Sequence, residues 1–265
     1  MNSSPKMDHT YWQKQTSEPL FPDIFWSRPE SKMGAGKILI IGGNAHRFGA
    51  PGIAYAASEK TGAGSVRVLL PDAIRKIVKG MLPDADFAPS TPSGSFAKNA
   101  LSELLTNAQW SDGVLLAGDF GRNSETAIVL ESFVEKYRGV LTITQDAADY
   151  FKETPLTIID RENTIVVVSL AQLQKIFIST PSITPIVSSM SSIQLAEALH
   201  YYTKEHPACI VTKHNDLIFV AASGQVSTTK HTERLWRVET SGKIAVFAMQ
   251  NPQKIFEAAT TSLLD

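Results

Sequence analysis

The sequence predicts an α/β fold: a three-layer α/β/α sandwich, with helices on both faces of one mainly parallel central sheet of about eight strands. Three observations lead there. Short β-branched runs end in glycine, as in Lys37-Ile38-Leu39-Ile40-Ile41 before Gly42-Gly43, and an unbroken apolar run of that length suits a strand buried on both faces. Such runs alternate with helical segments almost throughout, the pattern of parallel strands joined by crossover helices. The third is bulk: 265 residues, 43% hydrophobic and 19% charged, carry enough apolar material for a sizeable core.

Residues 1–33 read as an irregular N-terminal arm, since Pro5, Pro19, Pro22 and Pro29 interrupt any helix. The arm carries Trp12, Phe21, Phe25 and Trp26, which are costly to leave in water. It is therefore expected to pack on the body of the protein or on a neighbouring subunit, and the chain to form a homo-oligomer. One domain is expected over 34–265. Its first strand, 37–41, leads to a glycine turn and then to an Ala-rich helix over 53–60, with Pro51 suited to an early helical position. Gly62-Ala63-Gly64 closes that helix, and 65–70 is the next strand. Residues 101–107 read as helix, 113–117 as strand, and 126–137 as helix with apolar residues at 127, 128, 130, 133, 134 and 137. Strands follow at 140–144 and 164–168, a helix starts at 170–177, and 193–202 is amphipathic. A strand at 208–212 precedes a hairpin of 216–221 with 225–229 around Ser223-Gly224. No internal repeat or low-complexity tract interrupts this order.

Several function classes drop out. With 25 basic against 26 acidic side chains the net charge is −1, and no basic stripe points to nucleic acid. No apolar stretch reaches the ~18 residues of a membrane span, and the first 20 residues lack the apolar core of a secretory signal. Cys209 stands alone within Ala208-Cys209-Ile210-Val211; it reads as a small buried hydrophobe in a reducing, cytoplasmic setting. His9, His46, His200, His206, His214 and His231 are scattered without metal-ligand spacing, and no Gly-x-Ser-x-Gly elbow is present.

In an open α/β sheet, ligands sit beyond the carboxyl ends of the strands. Three glycine-bearing turns fall there. The first runs from Gly42 and Gly43 through Asn44, Ala45, His46, Arg47 and Phe48 to Gly49, Ala50 and Pro51. Gly49 lets a ligand approach the backbone, and free amides at the helix start favour an anion or polar oxygen. Spacing alone does not separate this from a plain turn, and His46-Arg47 reads first as a surface pair. Neither a dinucleotide fingerprint nor a phosphate-binding P-loop is present. The second turn is Ala117 to Asn123, with Asp119 and Gly121; the third is Glu239-Thr240-Ser241-Gly242-Lys243 ahead of an apolar helix at 244–249. Small residues opening a helix can cradle phosphate, with Lys243 adding charge, and a helix cap explains them equally well.

Together these turns resemble the ADP/ATP-dependent NAD(P)H-hydrate dehydratases, a ribokinase-like, carbohydrate-kinase-related family. That family opens on Arg-Pro, a Lys-Gly pair, a strand, a Gly-Gly-Ser…Gly-Ala-Pro turn and a helix ending at Gly-Ala-Gly-x-Val. Here Arg28-Pro29, Lys32, Ile38 to Ile41, Gly42-Gly43-Asn44, Gly49-Ala50-Pro51 and Gly62-Ala63-Gly64-Ser65-Val66 stand in that order. The family's Gly-Pro-Gly-Leu-Gly-Arg turn is similar to Ala117 through Arg122, and its Asp-Ala-Asp-Ala strand end to Thr144-Gln145-Asp146-Ala147. Its Leu-Lys-Gly strand end is similar to Thr212-Lys213-His214. The resemblance spans about residues 28–250 and implies a ribokinase-like fold, a tetramer, ADP or ATP with Mg2+, and NAD(P)H hydrate as substrate. It implies substrate binding at Gly43, Asn44, Gly49, Ala50, Pro51, Gly121 and Asp146, and nucleotide binding at Lys213, Ser241 and Gly242.

The resemblance breaks at the base. The family takes the hydroxyl proton with the Asp of Gly-Thr-Gly-Asp at a helix start, while helix amides stabilise the developing charge. Lys243 stands at that position here, and a protonated ammonium is no base. The family's His-Pro-Gly-Glu becomes Val168-Ser169-Leu170-Ala171. Two expectations stand side by side: a metabolite-repair lyase with displaced catalytic groups, or a catalytically inactive nucleotide- or dinucleotide-binding relative acting as sensor or assembly partner. Asp119, where the family has glycine, has three readings: a residue tolerating a left-handed turn, an ion-pair partner of Lys243, or a relocated catalytic base.

Overall fold

The computed structural model describes residues 9–78, 80–82, 85–180 and 184–265. In chain order these form β1 (Trp12–Gln15), α1 (Pro22–Trp26), β2 (Lys37–Gly42), α2 (Gly49–Lys60), β3 (Ser65–Pro71), α3 (Arg75–Val78), β4 (Ala85–Ala88), α4 (Leu101–Trp110) and β5 (Gly113–Gly118). They continue with α5 (Ser124–Lys136), β6 (Val140–Thr144), α6 (Asp146–Asp149), α7 (Leu156–Ile159), β7 (Thr164–Ser169), α8 (Leu170–Ser179) and α9 (Ser192–Glu205). The chain ends with β8 (Cys209–His214), β9 (Leu217–Ala222), β10 (Gln225–Lys230), α10 (Arg237–Gln250) and α11 (Ile255–Thr261). One ten-stranded sheet runs in the order β1-β10-β9-β8-β7-β6-β5-β2-β3-β4. Among the strands of the described residues, β9 alone runs against its neighbours, β8 and β10, and the other strand pairs are parallel.

The three layers follow from the two-residue period of the strands. Leu39 and Ile41 of β2 join a core with Leu104 of α4, Leu130 of α5, Leu173 of α8 and Leu199 of α9. The intervening Ile38 and Ile40 face the other way, into a core with Ala54 of α2 and Val246 of α10. That second side continues as Ile165, Val211, Ile244 and Phe256. Both faces are covered, as the unbroken apolar runs required. The β9–β10 hairpin turns on Ser223 and Gly224 at φ 50 and 75, the left-handed pair that a tight two-residue hairpin needs.

Over its described residues, 9–33, the arm is not irregular; Pro5 lies outside them. Trp12–Gln15 adds to the sheet edge beside β10, fixed by the Trp12 Nε1 hydrogen bond to Thr228 Oγ1 at 3.1 Å. Ile24 is buried, while Phe21 and Phe25 pack edge-on against Phe256 and Phe247. Trp26 remains 82% exposed. A second difference positions the site. The helix expected to open at Ser241-Gly242-Lys243 begins at Arg237 and runs through all three. A glycine inside a helix costs ~1 kcal/mol relative to alanine; here it allows close packing. A Cβ on Gly242 would lie 2.9 Å from Ala57 Cβ and 3.1 Å from the Ala54 carbonyl oxygen of α2.

Candidate functional site

The carboxyl ends of β2, β5 and β6 meet in three interlocked turns. Gly42 allows the first approach, since a Cβ there would fall 2.5 Å from the Gly118 carbonyl oxygen. Asn44 then organises the β2 turn. Its Oδ1 accepts from the His46 and Arg47 N–H groups at 2.8 and 3.2 Å, and its Nδ2 donates to the Asp119 carbonyl at 2.5 Å. Phe48, which precedes α2, has no side chain able to cap it. The Asp119 carboxylate supplies that acceptor from the β5 turn, taking the Ala50 N–H at 2.7 Å, where an acid also suits the helix dipole. Asp119 adopts φ 60, so the turn reading and a capping role are both present in one residue.

Asp146, at the end of β6, pins the same loop from the other side. Its two oxygens accept from the Phe120 N–H at 3.3 Å and the Gly121 N–H at 3.0 Å. Burial pushes its carboxyl pKa up; the Gly121 and Phe120 amides oppose this, while Asp119 and Asp149 add to it. The preceding Gln145 holds φ 56 and ψ −137, a conformation costing on the order of 1–3 kcal/mol for a side-chain-bearing residue. What holds it is a polar chain that the sequence did not reveal. Gln172 Nε2 donates to the Gln145 carbonyl at 2.8 Å, Gln172 also closes a capping box with Ser169, and Arg237 Nη1 donates to Gln172 Oε1 at 2.8 Å. Ser169 and Gln172 thus give the end of β7 polar groups where the family motif is missing. Burial lowers the Arg237 pKa, while Asp149 and Asp146 favour its charged form. The start of α10 therefore lies at the same sheet end as these turns.

Beside them opens a cavity of about 900 Å³. Of the residues the sequence picked out, Asn44, Gly121 and Asp146 line it, joined by His46 and Arg47, which read first as a surface pair. Gly43, Ala50 and Pro51 are buried in the supporting turn, Gly49 is exposed beside it, and Asp119 lies beneath as the cap. The sequence reading missed Asp149, Tyr150, Lys152 and Lys175, and assigned no role to Arg122 and Asn123. Tyr150 ties this wall together: its hydroxyl donates to the Gly121 carbonyl at 2.8 Å and accepts from the Asn123 N–H at 3.3 Å.

The expected nucleotide side is built differently. Ser241 is fully buried and its Oγ donates to the Arg237 carbonyl at 2.5 Å; Gly242 is pressed on α2. Lys213 Nζ donates to the Glu233 carbonyl at 2.5 Å. Lys243 Nζ lies 3.4 Å from Glu239 Oε1 and 3.4 Å from the Asp265 carbonyl oxygen. Asp119 and Lys243 thus take separate partners, and the ion pair between them, one of the three readings of Asp119, is not formed. None of these four residues lines the cavity. Ser241, Gly242 and Lys243 are within the helix, so their amides bond along it and offer no anion cradle. As built, this side does not fit a nucleoside di- or triphosphate. Among the described residues, no group of three or more His, Cys, Asp or Glu could hold a metal ion.

No protein-family model matches the chain. Over 101 residues it is 35% identical to the bifunctional NAD(P)H-hydrate repair enzyme Nnr of Methanothermobacter thermautotrophicus, a match covering 38% of this chain and 19% of that protein. Its sequence relatives are NAD(P)H-hydrate repair enzymes. The chain matches only 19% and 24% of the length of two such curated relatives. Among solved structures, a ribokinase-like superfamily protein of Enterococcus faecalis superposes with a TM-score of 0.73 at 16% identity, over 98% of this chain and 88% of that one. The ADP/ATP-dependent NAD(P)H-hydrate dehydratase of Bacillus subtilis, co-crystallised with ATP/Mg2+, superposes at 0.59 with 12% identity, over 92% of this chain and 86% of that one. The fold is ribokinase-like, as the motifs implied. Among the described residues, no helix is long and apolar enough to cross a membrane.

Proposed function

We propose that this chain is a hydrate-repair relative that binds a phosphate-bearing nucleotide or dinucleotide in the cleft bounded by Asn44, Gly121, Asp146 and Lys175, and does not dehydrate NAD(P)H hydrate. One observation carries the reading: α10 opens on Arg237 and Val238 where the family would open on its Asp, and Lys243, which the motif resemblance set at that Asp, lies inside the helix bonded to Glu239 and Asp265. Glu239, the carboxylate in the first turn of α10, is paired with Lys243, and the small residues that would cradle a transferring phosphoryl group are buried inside the helix. Phosphoryl transfer rests on positioning and electrostatic stabilisation, so losing both removes the chemistry and leaves recognition.

The competing reading, a lyase with a relocated base, draws on Asp119 and on Asp146 with its raised pKa. An assay of hydrated NADH and NADPH with ADP or ATP and Mg2+ separates the two. We expect no dehydration above the uncatalysed rate. Turnover that Asp119→Asn or Asp146→Asn abolishes would establish the lyase instead. The same reading includes a homo-oligomer, tetrameric as in the family it resembles, in the cytoplasm. Trp26 at 82% and Leu235 at 93% exposure support an interface, and the buried free thiol of Cys209 supports a reducing compartment. Light scattering at micromolar concentration should give a multiple of the 28.9 kDa chain mass; a monomer refutes the assembly.

A further inference from the structure

The cleft has a charge imbalance beyond what binding a nucleotide in general requires. Arg47, Arg122, Lys152 and Lys175 stand on its wall against two carboxylates, Asp146 and Asp149. Asp146 has both oxygens engaged by backbone amides, and Asp149 lies close enough to Arg237 to stabilise its charge. Lys152 lies 3.6 Å from Glu153. Arg47, Arg122 and Lys175 form no ion pair with any described residue. Like charges on a concave wall concentrate their field on whatever enters it. The cleft's volume of about 900 Å³ falls within the ~300–1,000 Å³ usual for cofactor-sized ligands.

A dinucleotide diphosphate brings two negative charges to such a wall. A terminal phosphate monoester adds about 1.5 to 2 more, with three strong acceptor oxygens. Arginine suits that group because its planar fork bonds phosphate through two parallel N–H donors. We propose that Arg47, Arg122 and Lys175 make the cleft selective for a dinucleotide carrying a third, terminal phosphate over one carrying the diphosphate alone. This rests on the reading of the cleft as a nucleotide site and names which class of dinucleotide it takes.

Titration of the full chain with NADPH and with NADH, followed by nicotinamide fluorescence at ~50 mM salt, tests it. NADPH should bind at least about tenfold tighter, ~1.4 kcal/mol at 25 °C. The ratio should shrink as salt rises, because the three side chains are exposed and the screening length falls to ~10 Å at 0.1 M. Arg122→Gln with Lys175→Gln should bring the ratio close to one. Thermal unfolding should be unchanged, since neither residue holds the fold through an ion pair. Equal affinity for the two dinucleotides in the wild-type chain overturns the selectivity and leaves the nucleotide reading standing. Binding of neither removes both. A ratio that survives the double substitution overturns the assignment to these cations.

Discussion

Gly242→Val should destabilise the protein by about 3 kcal/mol, the upper end of the usual cost of overpacking a core. In a chain of this size that lowers the melting temperature by roughly 6–12 °C. A Cβ at 242 already sits 2.9 Å from Ala57 Cβ and 3.1 Å from the Ala54 carbonyl, so valine's further methyls cannot fit without parting α2 from α10. Those helices cover Ile38 and Ile40 on one face of the sheet, with Val246 of α10 packed in the same core, and moving them exposes the centre of that core. Gly52→Ala is the matched control. Gly52 lies in the same α2 helix, and a Cβ there would meet nothing within 4 Å. The alanine should therefore stabilise by ~0.5–1 kcal/mol through helix propensity. Differential scanning calorimetry reads both. Opposite signs at two helical glycines are the signature of a close helix crossing at only one of them; equal shifts would show that α10 does not run through Gly242 against α2.

The same glycine shows where sequence reasoning stops. Read along the chain, Ser241-Gly242-Lys243 before an apolar run looks like the start of a helix, since small residues favour such starts. The competing cause is a contact with Ala54 and Ala57, nearly 200 positions away, and no local pattern records it. β1 escaped for a related reason. Trp12-Gln13-Lys14-Gln15 has neither alternation nor β-branched residues, and pairing with Val226 to Thr229 makes it a strand. The central strands and the hairpin were legible because their signals are local: β-branched runs for β2, β6 and β7, and the left-handed Ser223-Gly224 pair for the turn. The site divides along the same line. Its glycine turns and Asp146 stood out, because a close backbone approach leaves a mark in the sequence. Lys152 and Lys175 did not, since nothing nearby says which of 25 basic side chains the fold gathers at one wall.

The second large effect is expected at Asp146. Asp146→Ala leaves the buried-side amides of Phe120 and Gly121 without their acceptors. Each unsatisfied donor costs about 1–3 kcal/mol, and relief of a desolvated carboxylate returns part of that, so a net loss of ~2–4 kcal/mol should follow. Nucleotide binding should fall with it, because Gly121 lines the cleft and its loop is held by this side chain. Asp146→Asn separates charge from geometry. One oxygen can still accept, while the amide nitrogen faces the second N–H, so the loss should lie between wild type and alanine. The pH dependence fixes the sign. The folded-state pKa of Asp146 is raised, so above the ordinary value near ~3.9 the folded chain holds this proton more tightly than the unfolded one. The contribution of Asp146 to stability is therefore greatest at low pH, and falls as pH rises from about 4 through its elevated folded value. Above that value it is flat. Urea unfolding across that range should show this downward component in the wild-type chain and lose it in Asp146→Asn. If both proteins give the same pH profile, the carboxyl is not desolvated. The turn would then be held by geometry alone, and the lyase reading would lose the raised-pKa carboxylate that supports Asp146 as a base.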